Sequence, residues 1–530
     1  MDRDTTRNAA GMFSRSPKGK GNDLCAIFVH AGAGYHSREN EMNHLQACSD
    51  AALLAMRMLR TGCSAVDAVE IAIKVLEDRR ITNAGYGSNL CMDGVVECDA
   101  TVVDEHGRSG AVGAVCQIRN PISLARIILV NSRKAMTLRR VPPNLLVGDG
   151  ARDYAELHHM PILPHDALIT PSARERWINW KQELRRVEAA TIEDSAGAGI
   201  FTDIVPEVLI DYEERARQTS RANHVRDMHN AIPLNPVYSP DLPPAVPPGL
   251  AIPPLSMFTV DVVHTAEAAG GSVGLDTAAG QRAPGAVPAV RARPRYPPYV
   301  ARPYIIEADG SGPQEPEVAS YDGASDSPPS HDTKTDKRRQ DDITDTVGAI
   351  AVDCQGRIAA GSSSGGIGMK HRGRVGPAAL VGIGTVVIPE DPNDRRKTTV
   401  AAVCSGTGEH MATTMAAGTF ADRLYHSARK TAGGKIENVN DSEVLEGVIL
   451  KDFMDHPSVR QSPSTAAIGI LAAKKTKDGI YVYFAHNTDS FAVASMHSDD
   501  KLPAATMSRN SGGGSVAQGA RGFRYNKRKL

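Results

Sequence analysis

Long apolar runs are missing from this 530-residue chain, as are closely paired cysteines, an excess of either charge and a rich supply of aromatic side chains. No stretch approaches the ~20 consecutive apolar residues of a membrane span. The first 23 residues are polar and basic, and Leu24 to Val29 is too short for the apolar centre of a secretory leader. With 60 basic and 61 acidic residues the net charge is −1, so bulk charge selects neither a nucleic acid nor an anionic membrane as partner. The eight cysteines (25, 48, 63, 91, 98, 116, 354 and 404) contain no C-x-x-C pair. That spacing argues against a zinc site or a disulfide framework and for a reducing compartment.

What the chain does have is two halves with the grammar of a packed domain, separated by a stretch that lacks it. Leu24 to Val29 reads as a buried strand and Gln46 to Leu59 as a helix stopped by Gly62. Ser64 and Asp67 form a capping-box signature ahead of a second helix, whose inward set is Val66, Val69, Ile73 and Leu76. Gly110 to Ile118 suits another buried strand, and a further helix is expected around Leu157. Between Pro233 and Pro329 lie 19 of the 33 prolines, interleaved with serine, alanine and glycine, and from Ser311 the chain turns acidic. Such a segment buries too little apolar surface to offset its ordering entropy. The expected organisation is a disordered tail over 1–23, a first folded part over 24–214, a flexible insert over 215–345 and a second folded part over 346–530.

The insert ends at Asp345-Thr346-Val347-Gly348. Thr346 opens an apolar run (Val347, Ala349, Ile350, Val352), as the first residue of a buried strand would. If the bond before it breaks, Thr346 gains an α-amine beside its own hydroxyl, and that amine can take the hydroxyl proton. A free α-amine has a pKa of about 7.7–8.0, so a useful fraction is unprotonated near neutrality. Asp353-Cys354-Gln355-Gly356 then separates two short apolar runs and predicts a hairpin. Its second strand leads to Ser362-Ser363-Ser364-Gly365-Gly366 and to Lys370-His371-Arg372-Gly373-Arg374-Val375-Gly376.

These strings, with His30-Ala31-Gly32-Ala33-Gly34, Asn83-Ala84-Gly85, Glu97-Cys98-Asp99-Ala100, Val141-Pro142-Pro143 and Ser405-Gly406-Thr407-Gly408-Glu409-His410, resemble the type-2 asparaginases. The resemblance covers roughly residues 25–215 and 343–520 and is strongest to the protease branch, the threonine aspartases. It implies an α+β fold, the four-layer αββα sandwich of the N-terminal-nucleophile hydrolases, needing neither metal nor organic cofactor.

The resemblance also implies site roles. Thr346 is the nucleophile and the Asp345–Thr346 bond is the self-cleavage site. Ser364 contacts the nucleophile's amine, and Ser405 with Gly406 stabilises the oxyanion. Arg374 holds a substrate aspartate's carboxylate, a task suited to its planar fork of donors; Asn83 and Gly85 line the site. Without the family register, Arg374 would read as a solvated surface charge and Ser364 as a turn serine.

One departure bears on substrate class. Small-molecule asparaginases carry an aspartate three residues past that arginine, where it meets the substrate's free α-amine. Here Pro377 stands there. A free amino-acid amine would go unpaired, whereas an internal peptide needs no such partner. Asp345, before the nucleophile, agrees with an enzyme that reads aspartate in its own activation bond. The expected function is therefore a self-processing threonine endopeptidase cutting after aspartate. An L-asparaginase or isoaspartyl peptidase of the same fold is the alternative, and a weakly catalytic scaffold with a partner-binding insert is a third. By resemblance, the partners are nuclear regulatory proteins as substrates and the chain's own fragments of 345 and 185 residues as an αβ heterodimer, which the family commonly pairs further. Basic clusters at 334–339 and 526–529 suggest entry to the nucleus as well as residence in the cytoplasm.

Overall fold

The computed structural model describes residues 24–194 and 346–525, apart from 511 and 513. Asp345, the insert, the amino-terminal tail and both basic clusters lie outside the described residues.

Before the insert the chain forms β1 (Ala26–Gly34), α1 (Glu41–Arg60), α2 (Ala65–Glu77), β2 (Cys98–Val103), β3 (Ser109–Val115), α3 (Pro121–Ser132), β4 (Leu145–Val147), α4 (Gly148–Leu157) and α5 (Pro171–Asp194). From Thr346 onward come β5 (Val347–Val352), β6 (Ile358–Ser364), β7 (Thr385–Ile388), β8 (Thr399–Gly406), α6 (Gly408–Thr414), α7 (Ala416–His426), β9 (Ala428–Lys430), β10 (Ile436–Asn438) and α8 (Asp441–Gly447). A π-helical turn, Val448–Met454, continues α8. It is followed by α9 (Pro457–Arg460), β11 (Ile468–Thr476), β12 (Gly479–His486), β13 (Ser490–His497), β14 (Ala504–Arg509) and β15 (Ala517–Arg524).

Two large sheets result. One runs β14-β13-β1-β5-β6-β2-β3-β4 and the other β15-β12-β11-β8-β7. All pairings in both are antiparallel except β3 with β4. β5 lies between β1 and β6, and β6 in turn pairs with β2. Strands from the two sides of the insert therefore alternate within one sheet. A break before Thr346 would leave those ladders intact.

The apolar side chains form layers. Phe28, Ile350, Ile358, Val403, Leu471, Ile480 and Phe491 fill the space between the two sheets. On the outer face of the larger sheet, Met56, Leu59, Val69, Ile73 and Ile128 from α1, α2 and α3 pack against Ile27, Val347 and Ala349. Met411, Phe420, Leu424, Val444 and Phe453 cover the outer face of the smaller sheet. Fully burying each such side chain stabilises by about 1.5–3 kcal/mol.

Local chemistry explains the element ends. Ser64 Oγ accepts the Asp67 N–H at 3.2 Å while Asp67 Oδ2 accepts the Ser64 N–H at 3.0 Å, the capping box the sequence predicts. In the β5–β6 turn, Asp353 Oδ1 accepts the N–H groups of Gln355 and Arg357 at 2.9 and 3.1 Å. Two elements extend past their expected bounds. α1 starts at Glu41, where Asn40 O accepts the Asn43 and His44 N–H groups; the one apolar side chain of that first turn, Met42, is exposed and sets no apolar period. β1 continues through the small residues Ala31 to Gly34 because, past the end of its pairing with β5 at His30, Ala33 and Gly34 still pair with Phe491 and Ser490 of β13. Val66 is only partly buried, whereas Val69, Ile73 and Leu76 are fully so.

Candidate active site

Thr346 sits at the head of β5, largely buried, with its backbone N–H donated to Ser405 Oγ at 3.3 Å. Ser405 lies near the end of β8 and is fully buried. Its hydroxyl also accepts the Ala33 N–H at 3.1 Å. A serine hydroxyl has two acceptor lone pairs and one donor hydrogen. With both lone pairs engaged, the hydrogen is left to be donated. Gly406 follows with φ 151°, and a Cβ there would collide with the Ala467 carbonyl oxygen. Only glycine can take the sharp exit from β8 into the turn before α6.

Ser364 ends β6. Ser363 pairs with Val347, so Ser364 is in register with Thr346 across the ladder. Its hydroxyl accepts the Gly366 N–H at 3.1 Å, and the Thr346 N–H bonds to Ser405. The next turn is fixed from the other half of the chain. Asn83 Nδ2 donates to Gly366 O at 2.7 Å, Asn83 O accepts the Gly365 N–H at 2.7 Å, and Asn83 Oδ1 accepts the Asn89 N–H at 2.9 Å. Gly85, at φ 54°, packs against the end of α2, where a Cβ would lie 2.8 Å from the Glu77 Cβ.

Arg374 completes the group. Its Nε and Nη2 both donate to Glu409 Oε1, at 3.0 and 2.8 Å. Three glycines enclose the guanidinium. A Cβ at Gly366 would lie 3.1 Å from Nη1 and one at Gly376 2.8 Å from it, while one at Gly408 would overlap Nη2. Pro377, three residues on, is buried, and its Cδ lies 2.9 Å from where a Gly408 Cβ would stand. Thr346, Ser405 and Gly406 thus connect through Gly408 to Arg374, and Arg374 connects through Gly366 to Ser364 and Asn83.

Charge around the site is arranged in layers. Lys370 is buried, with Nζ donating to Glu97 O at 2.8 Å. Asp99 is fully buried and accepts the Ala114 and Gly376 N–H groups at 2.8 and 2.7 Å. Burial raises its carboxyl above the ordinary range despite Lys370, those two N–H groups and Arg374. Burial also works to raise Glu409, but the hydrogen bond and charge of Arg374 hold its carboxyl below the ordinary value. His30 on β1 faces Gly348, and burial lowers its imidazole to about 3. It is therefore neutral near pH 7, and neither ring nitrogen has a hydrogen-bond partner among the described residues.

A family model described as asparaginase matches residues 23–200 and 315–451, more than half of the chain. The chain belongs to the asparaginase family. Among relatives, an isoaspartyl peptidase/L-asparaginase of Xenopus laevis is 35% identical over 188 residues, 35% of this chain and 55% of the relative. A plant-type L-asparaginase of Pyrococcus horikoshii is 36% identical over 188 residues, 35% of this chain and 56% of the relative. An isoaspartyl peptidase of Salmonella typhimurium is 34% identical over 156 residues, 28% and 47% of the two chains. The chain thus spans about half the length of the curated relatives it matches.

Sequence reasoning gave no role to Glu409, Asp99, Lys370 or Ala33. Glu409 stood in a quoted motif, but only the fold brings it onto Arg374. Asp99 and Lys370 are legible as polar residues beside apolar strands, a pattern that signals burial without naming a partner.

Proposed function

We propose that this member of the asparaginase family is a self-processing threonine endopeptidase that cleaves after aspartate, built as an αββα sandwich of the N-terminal-nucleophile type. The observation that carries the substrate assignment is Pro377, a buried residue without charge where an asparaginase would hold the substrate's α-amine. An internal peptide bond brings no such amine.

In this reading Thr346 Oγ attacks the Asp345 carbonyl, the acyl group shifts from nitrogen to oxygen, and water hydrolyses the ester. The freed Thr346 amine then removes the proton from its own hydroxyl, which attacks the main-chain carbonyl of a substrate aspartate; the proton passes to the departing amine, and water hydrolyses the acyl ester. His30 cannot serve as a charged acid, being buried and neutral. Ser405 supports the acyl step. Its acceptor positions are filled by Thr346 and Ala33, which leaves the O–H to donate to the developing oxyanion. Ser364, in register with Thr346, and Asn83 hold the turn that shapes the opposite wall. Arg374 supplies the fork for the aspartate carboxylate.

A second reading, L-asparaginase or isoaspartyl peptidase, is favoured by the relatives' names and by one structural fact. Glu409 places a carboxylate against Arg374, where a free α-amine could pair with it. Two assays on the purified 56.4 kDa chain separate the readings. The protease cuts an internal aspartyl peptide and releases little ammonia from free asparagine; the asparaginase does the reverse. Nuclear regulatory proteins as substrates, and residence in nucleus and cytoplasm, belong to the same proposal. Its test is whether loss of both basic clusters moves a tagged chain to the cytoplasm.

A further inference from the structure

We infer that Glu409 is the resident counter-ion of the substrate pocket, a built-in competitor that an incoming aspartate carboxylate must displace from Arg374. The inference deepens the assignment of Arg374 as the substrate's carboxylate fork and rests on it. Both nitrogens on one side of the guanidinium, Nε and Nη2, donate to a single oxygen, Glu409 Oε1, at 3.0 and 2.8 Å. That side presents the two parallel N–H groups a carboxylate would take, and it is already occupied. A carboxylate arriving on this edge therefore replaces Glu409 rather than filling an empty site.

The two partners are held unequally, which decides which one yields. The Arg374 side chain is 16% exposed, and its guanidinium lies close against Gly366, Gly376 and Gly408, where a Cβ would meet it. The Glu409 side chain is 63% exposed, and its side-chain hydrogen bonds run to Arg374 and to its own backbone N–H. Released, it turns into water and is hydrated. Exposed ion pairs are worth little for that reason. The exchange swaps one carboxylate for another and conserves the pocket's charge. A ligand without negative charge cannot replace what Arg374 loses, so the exchange favours aspartate.

The test is steady-state kinetics of the processed enzyme on an internal aspartyl peptide, with wild type, Glu409→Gln, Glu409→Ala and Arg374→Ala compared. Glu409→Gln keeps size and removes charge, so it should lower KM by about two- to fivefold, the range expected for release of an exposed ion pair. The change should fall on KM rather than kcat. Glu409→Ala should move KM the same way, and thermal midpoints of both variants check that the fold is kept. An unchanged or raised KM in both folded variants overturns the inference, because Glu409 would then be bystander or orienting residue. Loss of ammonia release from free asparagine in Glu409→Gln, with peptide KM unmoved, overturns it in favour of an amine-holding role. If Arg374→Ala leaves the peptide KM unaltered, the carboxylate-fork assignment itself fails. If Arg374→Ala raises KM while both Glu409 variants do nothing, only the present inference fails.

Discussion

The backbone N–H of Thr346 and the hydroxyl of Ser405 meet at 3.3 Å, joining the head of β5 in one sheet to the end of β8 in the other. Ala33, from the chain before the insert, donates to the same oxygen at 3.1 Å. One buried hydroxyl thus ties together two sheets and both sides of the insert.

Ser405→Ala removes the acceptor for two buried N–H groups. Leaving such a donor unsatisfied costs about 1–3 kcal/mol, so the thermal midpoint should fall. If the Ser405 O–H also serves the oxyanion, kcat should drop by roughly 10²–10³, well beyond any effect on KM. Parallel melting curves and turnover measurements read the two effects. Lower stability with normal kcat would leave Ser405 a purely structural residue.

Arg374→Ala should leave a folded chain, since the guanidinium lies among glycines and is ion-paired with an exposed glutamate. Removing one partner of a desolvated charge pair in the bound complex costs ~2–5 kcal/mol, so kcat/KM on an aspartyl peptide should fall by at least thirtyfold. Near-normal kcat/KM per processed molecule would remove Arg374 from the site.

Changing the scissile aspartate of that peptide to asparagine should lower kcat/KM by a comparable factor, because the neutral amide cannot satisfy the fork. Equal rates on the two peptides would show that charge is not what the pocket reads.

Turn and cap chemistry around this site was legible in the local sequence, whereas the roles of Thr346, Ser364, Arg374 and Ser405 came from the family resemblance. The β5–β6 hairpin followed from Asp353 to Gly356, and α2 from the Ser64–Asp67 capping box. The contacts that join distant segments were not. Nothing local links Ala33 to Ser405, 372 positions apart, or Glu97 to Lys370, 273 apart. Glu409 was hidden for a related reason. Four residues after Ser405 at a helix start, it has the pattern of any exposed first-turn acid, and only the turn through Gly408 aims it at Arg374.

Stability should carry the mark of Glu77. This residue ends α2 fully buried, its Oε1 accepting the Ile122 N–H at 3.0 Å. Burial pushes its carboxyl up to about 8, against the pull of Ser363, the Ile122 N–H and Asn120. The folded state then holds a proton that the unfolded chain gives up near the ordinary value of 4.5. Its contribution is fully present below that value and lost as pH rises toward about 8, by at most about 1.4 kcal/mol per pH unit. Glu77→Gln keeps the neutral shape and should flatten this part of the stability-versus-pH curve. Denaturant unfolding at several pH values tests it. Curves of equal slope for both proteins would show that Glu77 is ionised in the fold.

The central claim, that Thr346 becomes a free amino-terminal nucleophile, is tested most directly by intact-mass measurement and amino-terminal sequencing of the purified chain. Fragments of 345 and 185 residues, the smaller beginning Thr346-Val347-Gly348, are expected from the wild type. One uncut chain is expected from Thr346→Ala, and slower cutting at the same bond in Thr346→Ser. Cleavage at that bond in Thr346→Ala, or an active wild-type enzyme that remains a single chain, would contradict that claim.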